Sequence, residues 1–162
     1  MYIPLMHGTY DKIYASKVFE FSDGSQITAD MITGGTGIDL KTSLPPEVED
    51  LLPDYSIYCF EHSLGFTMRG CRFSCDFCVV PRKEGRPYST KTIPEIWTQR
   101  RSDFVILLDN DFFGNPEWGD RISEMIDLKL RINFSQGLNI RIISVKQARA
   151  LSKVRFRSLS GK

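Results

Sequence analysis

From residue 64 onward the chain reads as strands alternating with helices, and that alternation restricts the fold more than any other feature. LGFTMRG at 64–70 is a short apolar strand. TIPEIWTQR follows as a helix, with Thr92 as N-cap and Glu95 completing a capping box. DFVILLDNDFF has the unbroken apolar run of a strand buried on both faces. PEWGDRISEMIDLKL sets Ile122, Met125, Ile126 and Leu130 on one helical face. RINFSQGLNIRII returns to strand, or to two short strands about Gly137. SVKQARALSKV is helical again, with Ser144 as N-cap, and RFRSL starts a further strand. Strands separated by helices imply a parallel sheet with crossover helices, an α/β fold.

The first 63 residues have a different character. They carry 3 Lys/Arg against 10 Asp/Glu, whereas residues 64–162 carry 18 against 10. An acidic front and a basic back point to two segments, 1–63 and 64–162, with different roles. IYASKVFEF at 13–21 reads as a strand and FSDGSQ as a turn. Glycines 34, 35 and 37 fit neither a dinucleotide-binding fingerprint nor a P-loop, so a structural turn is expected there. SLPPEVEDLLPDYSIY is a proline-punctuated connector with one helical turn. No apolar run reaches the roughly 18 residues of a membrane span, and the N-terminus lacks the pattern of a signal peptide. A cytoplasmic protein with no membrane partner is the expectation.

In that setting clustered thiols serve metals or redox chemistry more often than disulfides. Three of the four cysteines fall in GCRFSCDFCVVP: Cys71, Cys75 and Cys78, spaced C-x3-C-x2-C on the loop that leaves the first strand. Thiolates are soft ligands suited to zinc or to iron–sulfur clusters. A closed structural centre takes four ligands; three ligands on a four-metal cluster leave one metal open for chemistry.

At these residues the sequence resembles the radical S-adenosylmethionine (radical SAM) superfamily. The three-cysteine motif, with Phe77 before its last cysteine, stands directly after the first strand of a β/α repeat, as it does there. ITGGTGIDL, LPPEVEDLLPDYSIY, GFTMRGC, VPRKEG, LLDND and INFSQGLNIR extend the likeness to a bacterial and phage-type branch, from about residue 12 to residue 157. In that branch a partial cobalamin-domain-like segment precedes the radical SAM core. The resemblance implies a partial (β/α) barrel with a parallel sheet over 64–162, preceded by a short α/β segment. It implies that Cys71, Cys75 and Cys78 each bind one iron of a [4Fe–4S] cluster. The fourth iron would take the amino and carboxylate groups of S-adenosylmethionine. Reductive cleavage then yields methionine and a 5′-deoxyadenosyl radical that abstracts hydrogen from a substrate. A reductant such as flavodoxin or ferredoxin would supply the electron. The substrate itself is unspecified.

By the same resemblance Phe77 lies against the adenine, and Asp109, Asn110 and Asp111 end the second strand near the methionine amino group. Gln136, Asn139 and Arg141 follow the third strand, near the ribose or carboxylate. Asn139 stands where the branch reads Asp. The N-terminal segment is too short for cobalamin binding to be expected. At roughly 30 residues per β/α unit, residues 64–162 hold about three units and the start of a fourth strand. The expectation is therefore a core truncated relative to the branch, with another chain able to supply the missing barrel half.

Two alternatives remain open at this point. Cys59-x2-His62 precedes the cluster, so a zinc-stabilised Cys3His binding module can be drawn. An inactive radical SAM fragment is the other. Arg82, Lys83 and Arg86 form a basic loop that would be the first contact for a nucleic acid, though only Tyr88 adds an aromatic there.

Overall fold

A computed structural model describes residues 10–55 and 60–159. It is α/β and divides into two compact units at Leu51/Leu52. The boundary expected after residue 63 lies inside the second unit.

In the first unit β1 (Tyr14–Ser16) pairs in parallel with β2 (Ile32–Gly34), Tyr14 opposite Ile32 and Ser16 opposite Gly34. The strand expected over 13–21 is thus only three residues long. Beyond it Phe19 and Phe21 leave the ladder and stack on each other at 5.1 Å, both exposed. The glycine-rich stretch is a tight turn packed on its own chain. A Cβ at Gly35 would lie 2.5 Å from the Lys17 carbonyl oxygen, so the structural-turn reading holds. The single helical turn α1 (Pro46–Glu49) starts on a proline, as the connector suggested.

The second unit is built on a four-stranded parallel sheet. Its strands are β3 (Ser63–Gly65), β6 (Phe104–Leu107), β7 (Arg131–Phe134) and β8 (Arg155–Phe156), in that spatial order. Gly65 pairs with Leu107, Leu107 with Phe134, and Ile132 with Phe156. All four residues of β6 are buried, as its unbroken apolar run requires. Sequential order leaves no switch point at which crossovers change sides.

The packing agrees. Val105, Leu107 and Ile132 form one core with Ile93 and Ile96 of α3 (Ile93–Ile96) and Ile122 and Met125 of α4 (Trp118–Asp127). Val154, just after α5 (Val145–Leu151), joins them. Each such buried side chain stabilises the fold by about 1.5–3 kcal/mol. Both expected N-caps form: Thr92 and Ser144 each make a capping box, with Glu95 and Gln147.

Three expectations are corrected in detail. The run 64–70 is not one strand. It breaks at Phe66–Thr67, and Met68–Arg69 forms β4, antiparallel to β5 (Tyr88–Ser89). The segment after Gly137 is a 3-10 turn, Ile140–Ile142, capped by Asn139, not a second strand. Leu130 lies beyond the end of α4, though it is buried as expected.

Candidate functional site

The cysteine loop is the tip of the β4–β5 ribbon, inserted in the crossover from β3 to β6. Its stems are fixed by one backbone bond and by the Glu84 side chain. The Cys71 N–H donates to the Gly85 carbonyl at 3.1 Å. The Gly70 N–H donates to Glu84 Oε2 at 2.9 Å, and Glu84 also pairs with Arg69 at 3.0 Å. Inside the loop the Cys78 N–H donates to the Cys75 carbonyl at 2.9 Å, which turns the C-x2-C segment back on itself. The one-turn helix α2 (Val80–Lys83) follows at once, started by Pro81.

Cys71, Cys75 and Cys78 are free thiols, and all three line one cavity of about 420 Å3. That volume lies in the range of small-molecule sites. Phe77 joins them from the loop, Asn110 and Asp111 from the end of β6, and Gln136 and Asn139 from the end of β7. Phe112, Phe113, Leu138, Ile142 and Ile143 supply an apolar wall. Every contributing segment leaves the C-terminal edge of the sheet, where parallel α/β sheets bind ligands.

The expected site residues are not all equivalent. Phe77 is 92% exposed, so it is not a core side chain. Asp109 is placed differently from the expectation. It is buried and is not among the residues that line the cavity; its carboxylate accepts the Thr67 N–H at 2.7 Å and the Thr67 hydroxyl. Burial raises its pKa to about 6, against those hydrogen bonds. Asp111 accepts three hydrogen bonds from Arg72. Burial pushes the Asp111 carboxyl up, but the Arg72 bonds and charge outweigh it and hold the group below its usual range. Arg141 is exposed and outside the cavity wall; its backbone N–H and Nε donate to Asn139 Oδ1 at 3.2 and 3.3 Å. Burial, with the charges of Asp111 and the other two cysteines, raises the Cys71 thiol above its ordinary pKa.

Sequence reasoning missed Arg72, Thr67 and Asn115. Asn115 is buried; its Nδ2 donates to the Thr67 carbonyl at 3.1 Å, and its Oδ1 accepts from Ser89 at 2.6 Å. Together these residues stitch the ribbon to the β6–α4 connection. Their only sequence signal is polarity beside an apolar strand, which turn residues share.

The donor set suits a soft metal group, because three cysteines line one cavity on a loop whose stems are held. A cluster takes one thiolate per iron, so its ligands stand around it and do not converge on a point. Among the described residues no three His, Cys, Asp or Glu side chains converge on a single ion. His62 stands at the opposite, N-terminal end of β3. Its Nδ1 is 3.2 Å from Ser102 Oγ and its ring packs edge-on against Phe104. The Cys3His set drawn from the sequence is therefore not assembled with His62; Cys59 lies outside the described residues, as does His7. No helix is long and apolar enough to cross a membrane among the described residues. A scan against protein-family models, a search of curated proteins and a search of solved structures each return no match.

Proposed function

We propose that this chain holds a [4Fe–4S] cluster on Cys71, Cys75 and Cys78 and binds S-adenosylmethionine in the adjoining cavity, as part of a radical SAM core. One observation carries the reading. The three spaced cysteines and polar residues from two other strand ends line a single cavity at the C-terminal edge of the sheet. The sequential strand order supports reading that sheet as the arc of a partial (β/α) barrel.

Held by Cys71, Cys75 and Cys78, such a cluster would supply the one-electron chemistry for reductive cleavage of the S-adenosylmethionine sulfonium. The chain's own residues bind, orient and exclude water. Phe77 offers an exposed ring for the adenine to stack on. Asn110 and Gln136 offer amides from two strand ends. Asn139 has its carbonyl oxygen engaged by Arg141, so its amide nitrogen is the group it presents. Arg141 acts through Asn139. The apolar wall keeps water from the reacting atoms. An external reductant of the flavodoxin or ferredoxin kind and a reducing, cytoplasmic setting belong to the same reading.

Anaerobic reconstitution tests it, with iron, sulfide and zinc measured per chain beside a Cys71→Ala, Cys75→Ala, Cys78→Ala triple variant. About four irons and four sulfides in the native chain and none in the variant are expected. Zinc retained by the variant, or no iron in a folded native chain, would overturn the proposal.

A further inference from the structure

The cysteine loop carries its own anchor on the end of β6. Arg72 immediately follows the first cysteine. Its backbone N–H donates to Asp111 Oδ2 at 3.1 Å, its Nε donates to the same oxygen at 2.7 Å, and its Nη2 donates to Oδ1 at 2.8 Å. A two-pronged guanidinium–carboxylate fork with a third bond from the main chain is the strong, orientation-specific form of ion pair. The Asp111 side chain is 5% exposed and that of Arg72 is 38% exposed. Gly114 makes room for it: a Cβ there would overlap Asp111 Oδ2 and crowd Arg72 Nε. The Gly114 N–H also donates to the Asp111 carbonyl at 2.7 Å. Both oxygens of the carboxylate, which lies in the cavity wall, are therefore engaged by Arg72 of the loop.

We infer that Arg72 and Asp111 form a positioning latch that holds Cys71 and the start of the cysteine loop against the end of β6 before any cluster is bound. Asp111 serves the loop through both carboxylate oxygens, and Asn110 beside it lines the same cavity. The inference deepens the cluster reading and rests on it for the latch's purpose, while its geometry stands on the protein alone. Arg72 and Asp111 are positioning residues; neither is given a chemical role.

The test uses the metal-free, reduced full chain. Iodoacetamide labelling of Cys71 is timed and located by peptide mass spectrometry in the native chain, Arg72→Gln, Asp111→Asn, the double variant and Arg72→Lys. Electrostatics alone moves the two single variants in opposite directions. Loss of the Asp111 charge favours the Cys71 thiolate, and loss of the Arg72 charge disfavours it. Release of a latch moves both the same way. We expect labelling to rise about fivefold in each single variant, no further in the double, and less in Arg72→Lys, which keeps the charge and loses the fork. Unchanged rates, or opposite shifts in the two single variants, would overturn the latch. If Asp111→Asn fails to fold, Arg72→Gln carries the test, since its side chain is partly solvent-exposed and electrostatics predicts slower labelling there.

Iron uptake separates the two readings. A native chain that takes no iron, with labelling still raised in both variants, keeps the latch and removes the cluster. A native chain and Arg72→Gln that hold iron equally well, with equal labelling, keep the cluster and remove the latch.

Discussion

The Asp109 carboxylate sits under Thr67, accepting its N–H at 2.7 Å and its hydroxyl, so the break between β3 and β4 is held from the end of β6. Burial raises this acid to about 6, above its ordinary 3.8. An acid raised in the fold binds more protons folded than unfolded. Its stabilising protonation is complete below the unfolded value and is lost as pH rises through about 6. Denaturant midpoints of the native chain and Asp109→Asn, taken from pH 5 to pH 7, isolate the group. The native chain should lose about 1 kcal/mol relative to the variant over that span. Parallel curves would mean that Asp109 titrates at its ordinary value.

Gly70 and Gly85 both take positive φ, 81° and 75°, at the two stems of the cysteine loop. They differ in their surroundings. A Cβ on Gly70 would lie 2.7 Å from the Arg86 carbonyl carbon and overlap its oxygen, whereas one on Gly85 meets nothing within 4 Å. Gly85→Ala should cost only the left-handed backbone term, about 1 kcal/mol. Gly70→Ala should cost that plus a backbone clash, roughly 3 kcal/mol in all. Urea unfolding of the two variants checks the ranking. Equal costs would show that the ribbon relaxes around a Cβ at residue 70.

Lys129 is the one non-glycine residue with positive φ among the described residues, at 53°. It ends α4 in a Schellman arrangement: the Leu130 N–H donates to the Met125 carbonyl at 3.1 Å and the Lys129 N–H to the Ile126 carbonyl at 3.0 Å. Glycine is the residue that position favours, so Lys129→Gly should stabilise the protein by up to about 1 kcal/mol. A fall in the melting temperature would contradict this. The same residue explains a boundary that the sequence concealed. With no glycine to stop it, the apolar spacing of Ile122, Met125, Ile126 and Leu130 runs on as helix to Leu130. The chain instead turns at Lys129 and still buries Leu130.

What was legible followed from local chemistry. The Phe104–Leu107 run has no polar face, so it had to be a central strand, and the Thr92 and Ser144 caps announce their helices within four residues. The cysteine spacing marked the loop for the same reason. The break at Phe66–Thr67 was hidden, because what holds it is Asp109, 42 residues along the chain from Thr67. The roles of the two aspartates were equally hidden. A carboxylate at a strand end reads the same whether it faces a ligand, a threonine or an arginine. Only the partner decides, and Arg72 lies 39 residues from Asp111 in sequence.

Phe77 offers the sharpest functional prediction, because it stands in the cavity wall with 92% of its surface exposed. An aromatic ring contributes about 1–3 kcal/mol when a nucleobase stacks on it. If the adenine of S-adenosylmethionine rests there, Phe77→Ala should weaken binding to the cluster-loaded chain by roughly tenfold, and Phe77→Tyr should keep most of it. A side chain so exposed has little packing to lose, so folding stability should move by no more than about 0.5 kcal/mol. Calorimetric titration with S-adenosylmethionine and thermal unfolding of the same preparations read the two quantities separately. Full affinity in Phe77→Ala would place the adenine elsewhere in the cavity, and a large loss of stability would mean that the ring packs in the folded chain.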